Sequence, residues 1–469
     1  MKLGVVAIAA SVLALELAFA LAACTPPPRA ASAPRRPEVI AGRAPDFNGD
    51  GYADLVIGAP GAQAEEIGRV FVHLGGAAGW RPSPSLVLAG PDVIGAQYGT
   101  ALAIGDFDGD GLADLAVAAP GEDDFTGKVY IYRGGARGLQ AEPARVLVGE
   151  AGAGSWFGVA LAPAGDVNGD GFADLVAGAP GVAGGRAYLY LGGVNGLPER
   201  ASTSYFGDTA QAGRFGEAVA GVGDVNGDRF GDLVVGAPRG AALAGLASVF
   251  AGAAERLSPV PVVTLTGSPG RVEQLATHVA GVGDLNGDGF ADVVLAAPLA
   301  DAGRGALHVH RGARSGLSAA PSAVISNTDG SDGDGAQLGF SLAAAGDVDG
   351  DGLADFVAGE NRFRFWTGRL HFFRGTRGVQ PSSPAHSWTG PAGTYSGFGS
   401  AVAGAGDSDG DGFTEIIVSA PGARRVYIYS GGAGGPTDAP TLIIPSPPGS
   451  PGSFGTSLAV TPTGTVLPN

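Results

Sequence analysis

The sequence predicts an all-β fold, a seven-bladed β-propeller of four-stranded antiparallel blades whose ring is closed by a carboxyl-terminal strand joining the amino-terminal blade. Three observations predict it. First, DFNGDGYADLVIGAP begins at Asp46 and returns six times: DFDGDGLADLAVAAP from Asp106, DVNGDGFADLVAGAP from Asp166, DVNGDRFGDLVVGAP from Asp224, DLNGDGFADVVLAAP from Asp284, DVDGDGLADFVAGEN from Asp347 and DSDGDGFTEIIVSAP from Asp407. The steps are 60, 60, 58, 60, 63 and 60 residues, a period that belongs to propellers, solenoids or arrays. Second, the runs between motifs are short, alternating or β-branched and bounded by Gly, Pro and Asp, which favours strands, and no segment sustains a helical period. Third, the first copy lacks a preceding aromatic-glycine strand, and the chain ends on an orphan copy of it, Ser453-Phe454-Gly455-TSLAV. A closed ring uses that orphan to complete the first blade. A linear stack of repeats, the alternative, needs caps instead.

Residues 1–23 precede the fold. Lys2 is followed by an apolar run, interrupted by Glu16, that ends at Leu21-Ala22-Ala23-Cys24. This is the pattern of a secretory signal of lipoprotein type. Cys24, the one cysteine, then has a use as the lipidated residue, and no internal disulfide is possible. An uncleaved membrane anchor is the alternative reading of the same run. Residues 24–45 form a proline-rich, semi-extended tether. The expected localisation is secreted and lipid-anchored to the bacterial cell envelope; Thr25 after the cysteine, rather than Asp, directs it to the outer membrane of a diderm cell. Residues 46–461 are assigned to the propeller and 462–469 to a tail.

Within each unit an aromatic-glycine pair leads a small apolar strand, as in Phe157-Gly158 and Phe215-Gly216. The loop motif and its apolar strand follow. Next come an alternating strand such as KVYIYRGG from Lys128 and a short outer strand such as ARVLVG at 144–149. One four-stranded sheet cannot bury both faces; seven arranged radially can.

The loops place oxygens at positions 1, 3, 5 and 9 and offer a backbone carbonyl at 7. In the first loop the candidate metal ligands are Asp46, Asn48, Asp50, Asp54 and the carbonyl of Tyr52. The second supplies Asp106, Asp108, Asp110, Leu112 and Asp114, and the third Asp166, Asn168, Asp170, Phe172 and Asp174. The fourth supplies Asp224, Asn226, Asp228, Phe230 and Asp232, with Arg229 in the usual glycine place. The fifth supplies Asp284, Asn286, Asp288, Phe290 and Asp292, and the sixth Asp347, Asp349, Asp351, Leu353 and Asp355. The seventh ends in Glu415 after Asp407, Asp409, Asp411 and Phe413. Such spacing wraps a hard cation that takes six to eight oxygens, which points to Ca2+, up to seven ions, one per repeat. It is no EF-hand, because position 12 is apolar in every copy and lies within a strand.

Charge agrees. Of 45 acidic residues 24 lie in the loops, leaving 21 against 28 bases, and seven divalent ions would bring the net charge from −17 to −3. The bland reading is Asx-turn chemistry, which Asp, Asn and Gly perform without metal. It does not ask for three or four carboxylates within nine residues.

The aromatic-Gly strand, the DxNxDGxxD loop and the following Gly-Ala-Pro (Gly58-Ala59-Pro60, Gly178-Ala179-Pro180, Gly236-Ala237-Pro238) resemble FG-GAP repeats, like those of the integrin α-subunit head. The resemblance covers about residues 46–460. It implies a seven-bladed propeller with calcium in loops on one face, and a role in extracellular recognition or adhesion. Gln274-Leu275-Ala276 departs from it in the fifth unit and Gly359-Glu360-Asn361 in the sixth.

If metal loops and Gly-Gly turns share one end of the blades, a ligand has the other. There GENRFRFWTG offers Arg362, Phe363, Arg364, Phe365 and Trp366, residue types that dominate interfaces. Two acidic loops, Glu122-Asp123-Asp124-Phe125 and the insertion Asp329 to Asp334, read as solvated. His308 and His310 fall where other units have tyrosines and read as blade packing. No nucleophile elbow, HExxH helix or Walker loop is present, so a recognition module is expected and not an enzyme. A propeller enzyme acting on glycans (lyase or hydrolase) or a purely structural surface protein are the alternatives. The acidic balance and lack of a basic stripe argue against nucleic acid. The expected partners are an extracellular protein or glycan, with the membrane reached only through the lipid anchor, and the propeller is expected to be monomeric.

Overall fold

The computed structural model describes residues 46–61, 67–209, 213–254, 257–327 and 335–461. The signal-type segment, Cys24, the tether, the 462–469 tail and the Asp329–Asp334 insertion lie outside them. Seven four-stranded antiparallel sheets stand in a ring. No helix among the described residues is long and apolar enough to cross a membrane.

In blades 2 to 7 the sequence order is the spatial order, from innermost to outermost. Blade 6 runs Ser341–Gly346, Asp355–Glu360, Arg369–Phe373, His386–Thr389. Second strands are buried throughout, and mostly apolar after the loop's last acidic residue, because both their faces are covered by neighbouring blades: Asp114–Ala119, Asp174–Ala179 and Asp292–Ala297 are buried at every position. Outer strands instead alternate, with one buried residue each, such as Leu88, Leu147 or Trp388.

The core is divided into seven wedges, each shared by two adjacent blades. The aromatic of the aromatic-glycine pair plugs the wedge; Tyr98, Phe157, Phe398 and Phe454 are wholly buried. The glycine after it has φ near +90° and a backbone pressed against it. At Gly216 (φ +89°) an added Cβ would lie 2.0 Å from the Arg186 carbonyl oxygen. In blade 5, Leu275 fills the plug and Ala276 takes the left-handed position at φ 66°.

Blade 1 is completed from both ends of the chain. Ser457–Val460 pairs antiparallel with Leu55–Ala59, from Gly58 opposite Ser457 to Leu55 opposite Val460. The wedge between blades 7 and 1 closes on Phe71 and Phe454, their rings edge to face at 5.4 Å.

Candidate metal centres and the opposite face

In blades 2 to 7 the acidic loop is the hairpin between the first and second strands; in blade 1 it leads into the second strand, and the first strand comes from the chain's other end. The loop's first aspartate builds the turn. In the fifth loop Asp284 Oδ1 accepts the N–H groups of Asn286, Gly287 and Asp288 at 3.2, 2.7 and 3.2 Å, and Oδ2 accepts that of Gly289 at 2.7 Å. The other six loops repeat the last of these bonds from Asp46, Asp106, Asp166, Asp224, Asp347 and Asp407. Position 5 accepts the N–H of position 7, as Asp228 does from Phe230 at 3.0 Å. Position 9 ties the loop to the sheet. Asp114 takes the Phe107 N–H at 3.2 Å and, from the Gly-Gly turn, the Gly134 N–H at 3.0 Å. Positions 1, 5 and 9 therefore have work that needs no ion.

Three further features fit a cation. Position 9 is the most deeply buried: Asp54, Asp174, Asp232, Asp292 and Asp355 are 0% exposed and Glu415 2%. Burial, reinforced by the neighbouring loop carboxylates and opposed by the N–H donors, pushes Asp54, Asp114, Asp174, Asp355 and Glu415 up to about 7 and Asp232 to about 6. A divalent ion would replace the protons these groups otherwise hold. Carboxylates also converge. Oxygens of Asp106, Asp108 and Asp110, of Asp347, Asp349 and Asp355, and of Asp407, Asp409, Asp411 and Glu415 lie within 4.8 Å of one another in each set. Finally, Glu415 Oε1 and Asn286 Oδ1, at positions 9 and 3, are buried without a hydrogen-bond partner, a condition that polar atoms in proteins rarely tolerate. An all-oxygen donor set of this kind suits calcium.

The loops differ in how they are neutralised. Position 3 is Asp in the second, sixth and seventh loops and Asn in the others. In blade 2, Arg133 reaches back from the end of the third strand to Asp108 at 3.2 Å. In blade 6, Arg374 does so to Asp349 and to Asp351, the latter at 3.0 Å. The seventh loop has four carboxylates and Ser430 at the arginine place.

The loops are also joined around the ring. The Ala113 N–H bonds the Asp46 carbonyl at 2.9 Å and the Gly135 N–H the Phe47 carbonyl at 3.0 Å, so loop 1 is held by blade 2, and the pattern repeats as far as loop 6 held by blade 7. The side chain at position 7 leans over the position-4 glycine of the loop before. A Cβ at Gly109, Gly169, Gly227 or Gly350 would lie 2.5–2.8 Å from Phe172, Phe230, Phe290 or Phe413.

At the other end, the loops after the Gly-Ala-Pro segment meet the crossovers between blades. Four of them contain single left-handed turns: Asp123–Phe125, Ala241–Leu243, Asp301–Gly303 and Arg364–Trp366 all have φ between 43° and 84°. The crossover pins them: the Trp156 N–H bonds the Phe125 carbonyl at 2.8 Å, and the Tyr395 N–H bonds the Phe365 carbonyl at 3.1 Å. Phe365 (77% exposed), Tyr395 (71%) and Trp366 (41%) stand out to solvent, with Arg362 over the Trp366 ring at 4.7 Å. A shallow groove of about 360 Å3 runs between Trp366, Tyr395 and Pro421. Phe125 and Trp156 form a second exposed pair, stacked at 5.1 Å.

Two expectations need correction. Phe363 does not belong to the surface: it is 2% exposed and lies under Arg369 at 3.9 Å, as blade packing. Glu122 is not solvated: it is 2% exposed and held by Lys128 at 2.9 Å and the Tyr130 hydroxyl at 2.7 Å. His308 and His310 are 7% and 1% exposed within blade 5, where burial pushes both down, His310 to about 4. Tyr395 and Trp156 were not singled out from the sequence, although each lies just before an aromatic-glycine pair.

The FG-GAP repeat matches at residues 41–73, 98–132, 157–190, 215–252, 276–310, 338–373 and 398–435, one match per blade. The chain is an FG-GAP repeat protein. Its curated relatives include integrin alpha-V of Gallus gallus, 43% identical over 149 residues, 29% of this chain and 14% of the relative. Integrin alpha-4 of Xenopus laevis is 40% identical over 140 residues, again 29% and 14%. This FG-GAP protein thus aligns with about a seventh of each integrin. Among solved structures, a periplasmic gluconolactonase of Pseudomonas aeruginosa has a TM-score of 0.54 at 13% identity, covering 88% of this chain and all of that one. A putative 6-phosphogluconolactonase of Bacteroides uniformis has a TM-score of 0.55 at 10% identity, covering 87% and 99%. At such identities the likeness is one of fold alone.

Proposed function

We propose that this FG-GAP propeller is a calcium-loaded recognition or adhesion module, exported and lipid-anchored through Cys24, that binds an extracellular protein or glycan on the end opposite its metal loops. The observation that carries the reading is the exposed Phe365–Trp366–Tyr395 cluster beside its groove. Large aromatics left in water beside a groove are the usual anchors of a partner. The loops would hold calcium through the side-chain oxygens at positions 1, 3, 5 and 9 and fix the frame that presents this end.

Two measurements test it. With calcium at about 100 times its Kd, one site contributes about 2.7 kcal/mol to stability, so a chelator is expected to lower the melting temperature by many degrees; an unmoved melting temperature refutes the calcium reading. Glycan-array and surface-protein binding should be lost in Trp366→Ala, which is half-exposed and leaves the fold intact. Undiminished binding by Trp366→Ala refutes the assignment of the face.

A further inference from the structure

Blade 6 differs from the other six at the residue that ends its second strand. There Ala59, Ala119, Ala179, Ala237, Ala297 and Ala420 are replaced by Glu360, wholly buried. Strand pairing sets Glu360 opposite Arg369, and sets His371, two residues further on, opposite Ser387 of the outer strand. The side chains then connect. Arg369 Nε donates to Glu360 Oε2 at 2.6 Å, and Asn327 Nδ2 donates to Glu360 Oε1. His371 Nε2 lies 3.3 Å from Glu360 Oε2, and His371 Nδ1 lies 2.7 Å from Ser387 Oγ. His371 is 7% exposed, whereas Ser387 is exposed. The serine opens onto a cavity of about 250 Å3 between blades 5 and 6, lined also by His371, Arg369, Ile325, Leu338 and Pro384.

Blade 2 shows which part of this is packing. There Glu122 is buried against Lys128 and the Tyr130 hydroxyl, in the places of Arg369 and His371. Opposite Tyr130 stands Val146. In blade 5 the equivalent histidine, His308, also faces a valine, Val324. A buried carboxylate–cation pair is thus a device of the fold. Among the described residues, blade 6 alone adds an imidazole placed between that carboxylate and a hydroxyl open to a cavity, which is the arrangement of an activated nucleophile.

We propose that Ser387, His371 and Glu360 form an acyl-transfer relay for short-chain esters, an activity independent of the recognition reading. Ser387 Oγ attacks the ester carbonyl carbon as its proton passes to His371 Nδ1. The tetrahedral intermediate then expels the alcohol, which leaves with that proton. Water attacks the acyl-serine, gives a proton to the same nitrogen, and the carboxylic acid departs as Ser387 recovers its hydrogen. Glu360 is a positioning residue: it fixes the ring and stabilises the imidazolium, and is itself held by Arg369 and Asn327. Arg369, on the same cavity wall, sets positive charge near the carbonyl oxygen as it becomes an oxyanion. The small volume, below that of usual ligand sites, restricts the acyl group to a short one.

The test is to expose the calcium-loaded full chain to a small alkyl fluorophosphonate, with hydrolysis of p-nitrophenyl acetate followed in parallel. One phosphonyl group is expected, mapped to Ser387 by peptide mass. Ser387→Ala, an exposed change that leaves the melting temperature in place, should abolish labelling and hydrolysis together. His371→Gln should slow both by about 10²–10⁴-fold. Glu360→Gln should lower kcat with KM for the acetate ester unchanged. No labelling, labelling at another residue, or full hydrolysis by Ser387→Ala overturns the proposal. Should a variant at a buried position melt early, the Ser387→Ala result alone decides.

Discussion

Arg229 occupies a backbone position that six glycines fill in the other loops, at φ between 81° and 93°, and it adopts 77°. A left-handed conformation costs an L-residue about 1–2 kcal/mol, part of which glycine returns through its unfolded-state entropy, about 0.5–1 kcal/mol. The Arg229 N–H still caps Asp224 at 2.7 Å, so the loop keeps its shape and carries the strain. Arg229→Gly is therefore expected to stabilise the calcium-loaded protein by about 0.5–1 kcal/mol in urea unfolding. It should also tighten calcium binding in titration, since a positive charge leaves the neighbourhood of Asp224, Asp228 and Asp232. A destabilised loaded variant would contradict this account. The departure itself was readable as a missing glycine. That Phe363 is buried while Phe365 is exposed was not, because three successive left-handed residues turn the side chains of Arg364–Trp366 in a way no periodicity encodes.

Among elements, the loops show most clearly what local sequence determines. Their spacing fixed the turn, since the aspartate at position 1 caps N–H groups only two to five residues away, and the strands followed from alternation and from apolar runs. What depends on other segments stayed hidden. Arg133 and Arg374 lie beyond the second strand, yet they offset the additional aspartate of loops 2 and 6. The Glu360–His371–Ser387 chain needs the register of three strands at once, and its one visible trace was Glu360 breaking the Gly-Ala-Pro pattern. Loop 7 has the same four carboxylates without the arginine, so its metal-free form carries the most uncompensated charge. Ser430→Arg, copied from blades 2 and 6, should stabilise the chelated protein by about 0.2–1 kcal/mol, the range of exposed ion pairs, and do less for the calcium-loaded form. Equal gains in both states, read from paired melting curves, would show that the arginine does not substitute for ionic charge.

For the whole molecule, the decisive joint is the one between chain ends. Each of the other blades draws its four strands from one continuous segment, so its assembly is local. Blade 1 must recruit Ser457–Val460 from about four hundred residues away, and a loop of that length costs closure entropy that grows only slowly with length. Phe454, wholly buried against Phe71, offsets that cost. The joint also reaches an acidic loop: Thr461 Oγ1 accepts the Asp54 N–H at 2.7 Å, and the Thr461 N–H donates to the Asp54 carbonyl at 3.0 Å. Phe454→Ala should then cost about 3–5 kcal/mol, the usual range for a buried phenylalanine, and Phe398→Ala within the continuous chain should cost a similar amount. The two differ in consequence. Loss of Phe454 loosens Asp54 and should weaken calcium binding in loop 1, whereas loss of Phe398 acts between blades 6 and 7. The sharper form is complementation. A chain ended at Gly452 should melt early, and a peptide of residues 453–461 added in trans should restore the melting temperature in a saturable way. A truncated chain that melts like the intact one would mean that the ring does not depend on this seam.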